Sequence, residues 1–102
     1  MTRYRYMGID PGFDRCGWGI VDDDPCYIAS GVIQTQPDWS YSERIDAVYN
    51  ALIHTIRYYN VGVVGVENPF AGEKVGRRVL EIGGAWGVCL LAIHFCGCDP
   101  HE

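Results

Sequence analysis

Two carboxylates sit where the sequence could do chemistry. Asp10 closes the run Tyr4 to Asp10 and is followed by the turn residues Pro11 and Gly12. Glu67 closes the apolar run Val61 to Val66. Two carboxylates held close together repel, and both stay ionised only at a cost that a bound cation removes. Oxygen ligands favour Mg²⁺ or Mn²⁺ over softer metals. A pair of such ions ~3.5–4 Å apart could activate a water and stabilise the leaving oxygen of a phosphodiester. From these residues alone a plainer reading stays open, because Asp-Pro-Gly is a common turn and a strand-end Glu is often merely solvated.

Two other clusters invite a chemical reading. Lys74, Arg77 and Arg78 put three of the eight basic residues within five positions, as phosphate contacts or as a solvated face. His94, Cys96, Cys98 and His101 could be read as a zinc cluster. Cys-x-Cys is tighter than the usual Cys-x₂-Cys knuckle, and the favoured reading ends a helix there and begins a strand.

For Asp10 and Glu67 to meet, the elements that carry them must be neighbours. Tyr4 to Asp10, Gly17 to Asp22 and Cys26 to Thr35 read as three strands joined by short turns, which suits an antiparallel meander. Ser40 and Glu43 have capping-box spacing. Ile45, Val48, Tyr49, Leu52, Ile53 and Ile56 then recur at helical spacing, so a helix is expected to about Tyr59, with Asn60 near its end. Val61 to Val66 reads as a buried strand. A polar loop follows from Asn68 to about Gly76, and Arg77 to Phe95 reads as a second helix. Gly83, Gly84 and Gly87 lie inside it, each costing about 1 kcal/mol relative to alanine. They suggest close approach of another backbone, or a helix that is frayed or broken. The order is β-β-β-α-β-α. The strand after the crossover helix should lie parallel to the first strand, and both acids would then emerge at one edge of a mixed sheet, where ligands of α/β sheets collect.

The chain of 102 residues is expected to form one domain, 1–102. Its net charge of −5 argues against tight non-specific binding of nucleic acid by the whole surface, though a local basic patch is still possible. The five cysteines are odd in number and irregularly spaced, and no signal-peptide pattern opens the chain, so a cytoplasmic setting with free thiols is expected. No apolar run is long enough for a membrane span.

The sequence resembles the RuvC family of bacterial Holliday-junction resolvases, of RNase H-like fold. Met7-Gly8-Ile9-Asp10-Pro11-Gly12, followed by Cys16-Gly17-Trp18-Gly19-Ile20-Val21, is similar to the family's opening. Ala29 to Thr35 resembles its third strand, and Ser42 to Ile45 the start of its first helix. Val66-Glu67-Asn68-Pro69-Phe70 resembles the acidic strand end with its aromatic, and Leu80 to Val88 the second long helix. The motifs run in order across nearly the whole chain.

The resemblance implies that Asp10 and Glu67 are two of four metal ligands for Mg²⁺ or Mn²⁺. It implies that Phe70 wedges against bases at the junction centre, where stacking on an aromatic is worth ~1–3 kcal/mol; a loop residue folded onto the core is the alternative. By the same resemblance Lys74, Arg77 and Arg78 hold phosphates, and a homodimer pairs through the second helix on branched, four-way-junction DNA. In the family a further strand and a helix follow, and that helix carries the other two ligands. Asp99 and Glu102 precede it and are not assigned, so weak or absent activity is expected of this chain alone. The competing expectations are a non-catalytic binder of branched DNA and an RNase H-like nuclease acting on structured RNA. A phosphotransferase of the actin and sugar-kinase type fits poorly, because Phe13-Asp14-Arg15 lacks the Ser or Thr usual after that glycine and the chain is too short.

Overall fold

A computed structural model describes residues 4–12, 14–67 and 78–101. The first three strands are β1 (Arg5–Asp10), β2 (Arg15–Asp22) and β3 (Tyr27–Gln34). Helix α1 (Tyr41–Tyr58), strand β4 (Val63–Val66), helix α2 (Arg78–Cys96) and strand β5 (Asp99–His101) follow. The described strands form one sheet in the order β3-β2-β1-β4-β5. β1 pairs antiparallel with β2, and β2 antiparallel with β3, with a register shift between Ile20 and Val21. β1 pairs parallel with β4, as the crossover through α1 requires.

β5, parallel to β4, is an addition to the six elements expected. Three residues with a central proline give almost no strand pattern, and Pro100 can donate nothing to a ladder, which confines it to an edge.

Alternation along the strands separates two faces. Met7 and Ile9 of β1, Cys16 and Ile20 of β2, and Val64 and Val66 of β4 are buried with Val48, Leu52 and Ile56 of α1 and Val88, Cys89, Ala92 and Ile93 of α2. Between them lie Tyr6, Gly8 and Asp10 on β1, Gly17 and Gly19 on β2, and Gly65 on β4, on the face opposite the helices. Trp18 belongs to the helix side and lies over Gly31, where an added Cβ would come within 2.8 Å of the indole.

Local chemistry fixes the ends of α1. The Ser40 hydroxyl accepts from the Glu43 backbone N–H (3.2 Å), while the Glu43 carboxylate accepts from the Ser40 N–H (3.0 Å), a complete capping box. At the other end Asn60 takes a left-handed φ of 53°. Val61 N–H donates to the Ile56 carbonyl (3.0 Å), and the buried Val61 closes the turn. Gly97 (φ 73°) ends α2 in the same way, with Cys98 N–H on the Ile93 carbonyl (3.2 Å). α2 is continuous over its described span, so its glycines do not break it.

Candidate functional site

The parallel ladder of β1 and β4 runs Tyr6↔Val63 to Ile9↔Val66. One further bond continues it: Glu67 N–H donates to the Ile9 carbonyl at 3.0 Å. Asp10 and Glu67 therefore hold neighbouring positions where two co-directional strands end. Both follow a buried residue, Ile9 and Val66 respectively, so alternation turns both to the face away from the helices. Both are exposed. Adjacent strands lie ~4.8 Å apart, a spacing that carboxylates binding a cation through oxygens ~2.0–2.1 Å from it can span.

The two acids line one cleft of about 430 Å³ together with Gly8, Gly17 and Gly65. Gly17 stands directly across from Asp10 on β2. Its missing side chain leaves the carboxylate uncrowded, the nearest atom to an added Cβ being the Asp10 Cβ at 4.0 Å. Gly8 has nothing within 4 Å of such a Cβ. Gly19, Gly8 and Gly65 are mutually in register, so bare backbone crosses three strands beside the acids. The sequence reading passed over these glycines. Their signal was available, since glycine inside a strand marks a place where something outside approaches the backbone. The turn after Asp10 also depends on a glycine: a Cβ on Gly12 would lie 2.5 Å from the Arg15 carbonyl oxygen.

The donor set fits a hard divalent cation. Two carboxylates offer only oxygen, and the open glycine floor leaves room for water or phosphate oxygens at the remaining positions. The other expected residues fare differently. Phe70, Lys74 and Arg77 lie outside the described residues, and Arg78 opens α2 with its side chain outside them. His101 is likewise described in its backbone only. Among the described residues His94, Cys96 and Cys98 do not converge as metal ligands. The Cys98 thiol instead donates to the Val61 carbonyl at 3.2 Å. The described group of three potential ligands is Asp22, Asp24 and Cys26, whose ligand atoms lie within 4.8 Å of one another. The Asp22 carboxylate there accepts from the backbone N–H of Asp24 (2.9 Å) and Cys26 (2.8 Å), which is how such a turn holds itself together.

The family model of the crossover junction endodeoxyribonuclease RuvC matches residues 6–102. The chain belongs to the RuvC family. It is 36% identical over 105 residues to the crossover junction endodeoxyribonuclease RuvC of Roseiflexus sp. (strain RS-1), covering 100% of this chain and 62% of that protein. The corresponding protein of Gluconacetobacter diazotrophicus is 36% identical over 101 residues, covering 96% of this chain and 60% of the relative. Thermus thermophilus RuvC, solved in complex with a Holliday junction substrate, superposes with a TM-score of 0.81. It shares 23% identity over 95% of this chain and 62% of its own, a likeness of fold. The chain thus spans about three-fifths of the length of the relatives it matches. No helix among the described residues is long and apolar enough to cross a membrane.

Proposed function

We propose that this chain carries half of the metal site of a structure-specific endonuclease that cuts Holliday junctions or other branched DNA by phosphodiester hydrolysis. The observation that carries the reading is the adjacency of Asp10 and Glu67 at the ends of parallel β1 and β4, within a family named for crossover-junction cleavage. Asp10 and Glu67 would hold Mg²⁺ or Mn²⁺ through their carboxylate oxygens. The bound cation supplies neutralisation of the charge that builds on the phosphate. Gly8, Gly17 and Gly65 keep the floor low enough for a phosphodiester to reach the carboxylates. In the family the other two ligands lie on a later helix of the fold, and residues 1–102 form a single RNase H-like domain that is truncated relative to the family.

In the same reading Phe70 stacks on bases at the branch point, and Lys74, Arg77 and Arg78 hold the backbone. A homodimer forms through α2, on whose outer side Leu91 is 57% and Phe95 56% exposed, one turn apart. Gly87, one turn earlier, has open space where a Cβ would be, which supports close approach of a second helix. The test is cleavage of a four-way junction by the complete gene product with Mg²⁺ or Mn²⁺, beside duplex DNA and structured RNA. Paired nicks in the junction are expected. A junction bound but uncut would overturn the catalytic reading, and preference for RNA would move the substrate.

A further inference from the structure

Beyond the residues that line the acidic cleft, the open face of the sheet continues onto β3. The pairing registers set Val32 of β3 opposite Gly17 of β2, and Gly17 opposite Asp10 of β1. Gly31 and Ile33, on either side of Val32, pair with Trp18 and with buried Cys16, and the Trp18 indole lies over Gly31 on the helix side. Alternation therefore turns Val32 to the face that carries Asp10, where it is 49% exposed. The next row has the same form. Gly8 stands opposite Gly19, and Gly19 opposite Ser30, whose Cβ lies 4.0 Å from where a Gly19 Cβ would be. Bare backbone on β2 thus separates the Asp10 carboxylate from a raised rim on β3 made of Val32 and Ser30.

We propose that Val32 is a specificity-determining residue, the apolar wall of a sugar subsite beside the acids that favours deoxyribose over ribose in the nucleotide next to the scissile phosphate. Resting on the nuclease reading above, this subsite separates DNA from structured RNA at the same acids. Two strand spacings, ~9.6 Å, separate β1 from β3. A strand whose phosphate lies in the acidic cleft has its attached sugar over Gly17, with one edge against the Val32 methyls. Deoxyribose presents only C–H bonds at C2′ and loses nothing against an apolar wall. Ribose carries a hydroxyl there that is both donor and acceptor. Pressed against Val32, that hydroxyl gives up water and gains no partner. Among the described residues the other side chain of this rim is Ser30, whose hydroxyl is already paired with that of Tyr27 at 3.2 Å. An enclosed apolar pocket rejects an added hydroxyl by ~100-fold, and an open rim should give about tenfold.

The test uses the complete gene product with Mn²⁺. It compares an all-deoxy four-way junction with one carrying ribonucleotides on both sides of each cut site. Affinity is read by competition binding, and cleavage by single-turnover rate. The native protein is expected to favour the all-deoxy junction about tenfold. Val32→Thr keeps the shape and strand preference of valine and supplies a hydroxyl partner, so the preference should shrink severalfold while Mn²⁺ affinity and the urea midpoint stay as they were. Val32→Ala, which takes the wall away without adding a hydroxyl, should shrink it as well. A native protein indifferent to the substituted sugars would overturn the proposal. So would a preference that both variants leave intact. A binding preference that follows residue 32 in a protein that cuts neither junction would support the subsite and sink the catalytic reading. Failure to bind either junction would overturn both.

Discussion

At the scale of single residues, two acids and the glycines around them make the candidate site. Asp10→Asn and Glu67→Gln each remove a charged ligand while keeping size. Mn²⁺ binding followed by calorimetry is expected to weaken by more than the ~10–100-fold typical of losing an outer-shell partner, with the fold unchanged by circular dichroism. The glycines make opposite predictions. An alanine at Gly31 meets the Trp18 indole at 2.8 Å, and overpacking of this kind costs typically about 1–3 kcal/mol, measurable as a lower urea midpoint. An alanine at Gly8 meets nothing and is expected to leave the midpoint unchanged or slightly raised. The acids were legible in the sequence because each ended an apolar run. The strand glycines signalled close approach but not what approaches, because a strand glycine looks the same in sequence whether its neighbour is a tryptophan or open space.

At the scale of elements the capping box is the clearest test. Ser40→Ala is expected to cost about 1 kcal/mol by chemical denaturation. Glu43 adds a pH dependence. Its hydrogen bond to the Ser40 backbone, then that to the Ser40 hydroxyl, holds the carboxyl below the ordinary range. A carboxyl lowered in the folded state stabilises above its unfolded value of about 4.3 and loses that contribution as pH falls through the folded value. The stability difference between the native chain and Glu43→Gln, traced from neutral pH downward, should therefore shrink below about pH 4. A difference that stays flat would mean that the carboxylate does not cap. α1 was readable because its stripe, cap and Asn60 terminus agree. The parallel placement of β4 beside β1 followed from the crossover rule rather than from any residue in β4. β5 was only hinted at after Cys98, since Asp99-Pro100-His101 carries no alternation, and its place is set by docking against β4.

At the scale of the whole molecule the open questions are what covers α2 and what fills the acidic edge. A helix with apolar residues on more than one side calls for a neighbour on each, and Leu91 and Phe95 are the ones still exposed. Leu91→Asp should shift the sedimenting species from dimer to monomer with little change in the thermal midpoint. A dimer that persists would move the interface elsewhere. The family and the mixed sheet were both readable from motifs in register.

The most direct measurement is a crystal of this chain soaked in Mn²⁺ and recorded near the manganese absorption edge. An anomalous peak bound by carboxylate oxygens of both Asp10 and Glu67 is the expected result. Manganese held instead by Asp22 and Asp24, with the Asp10–Glu67 cleft containing only water, would contradict the idea that these two strand ends share a metal.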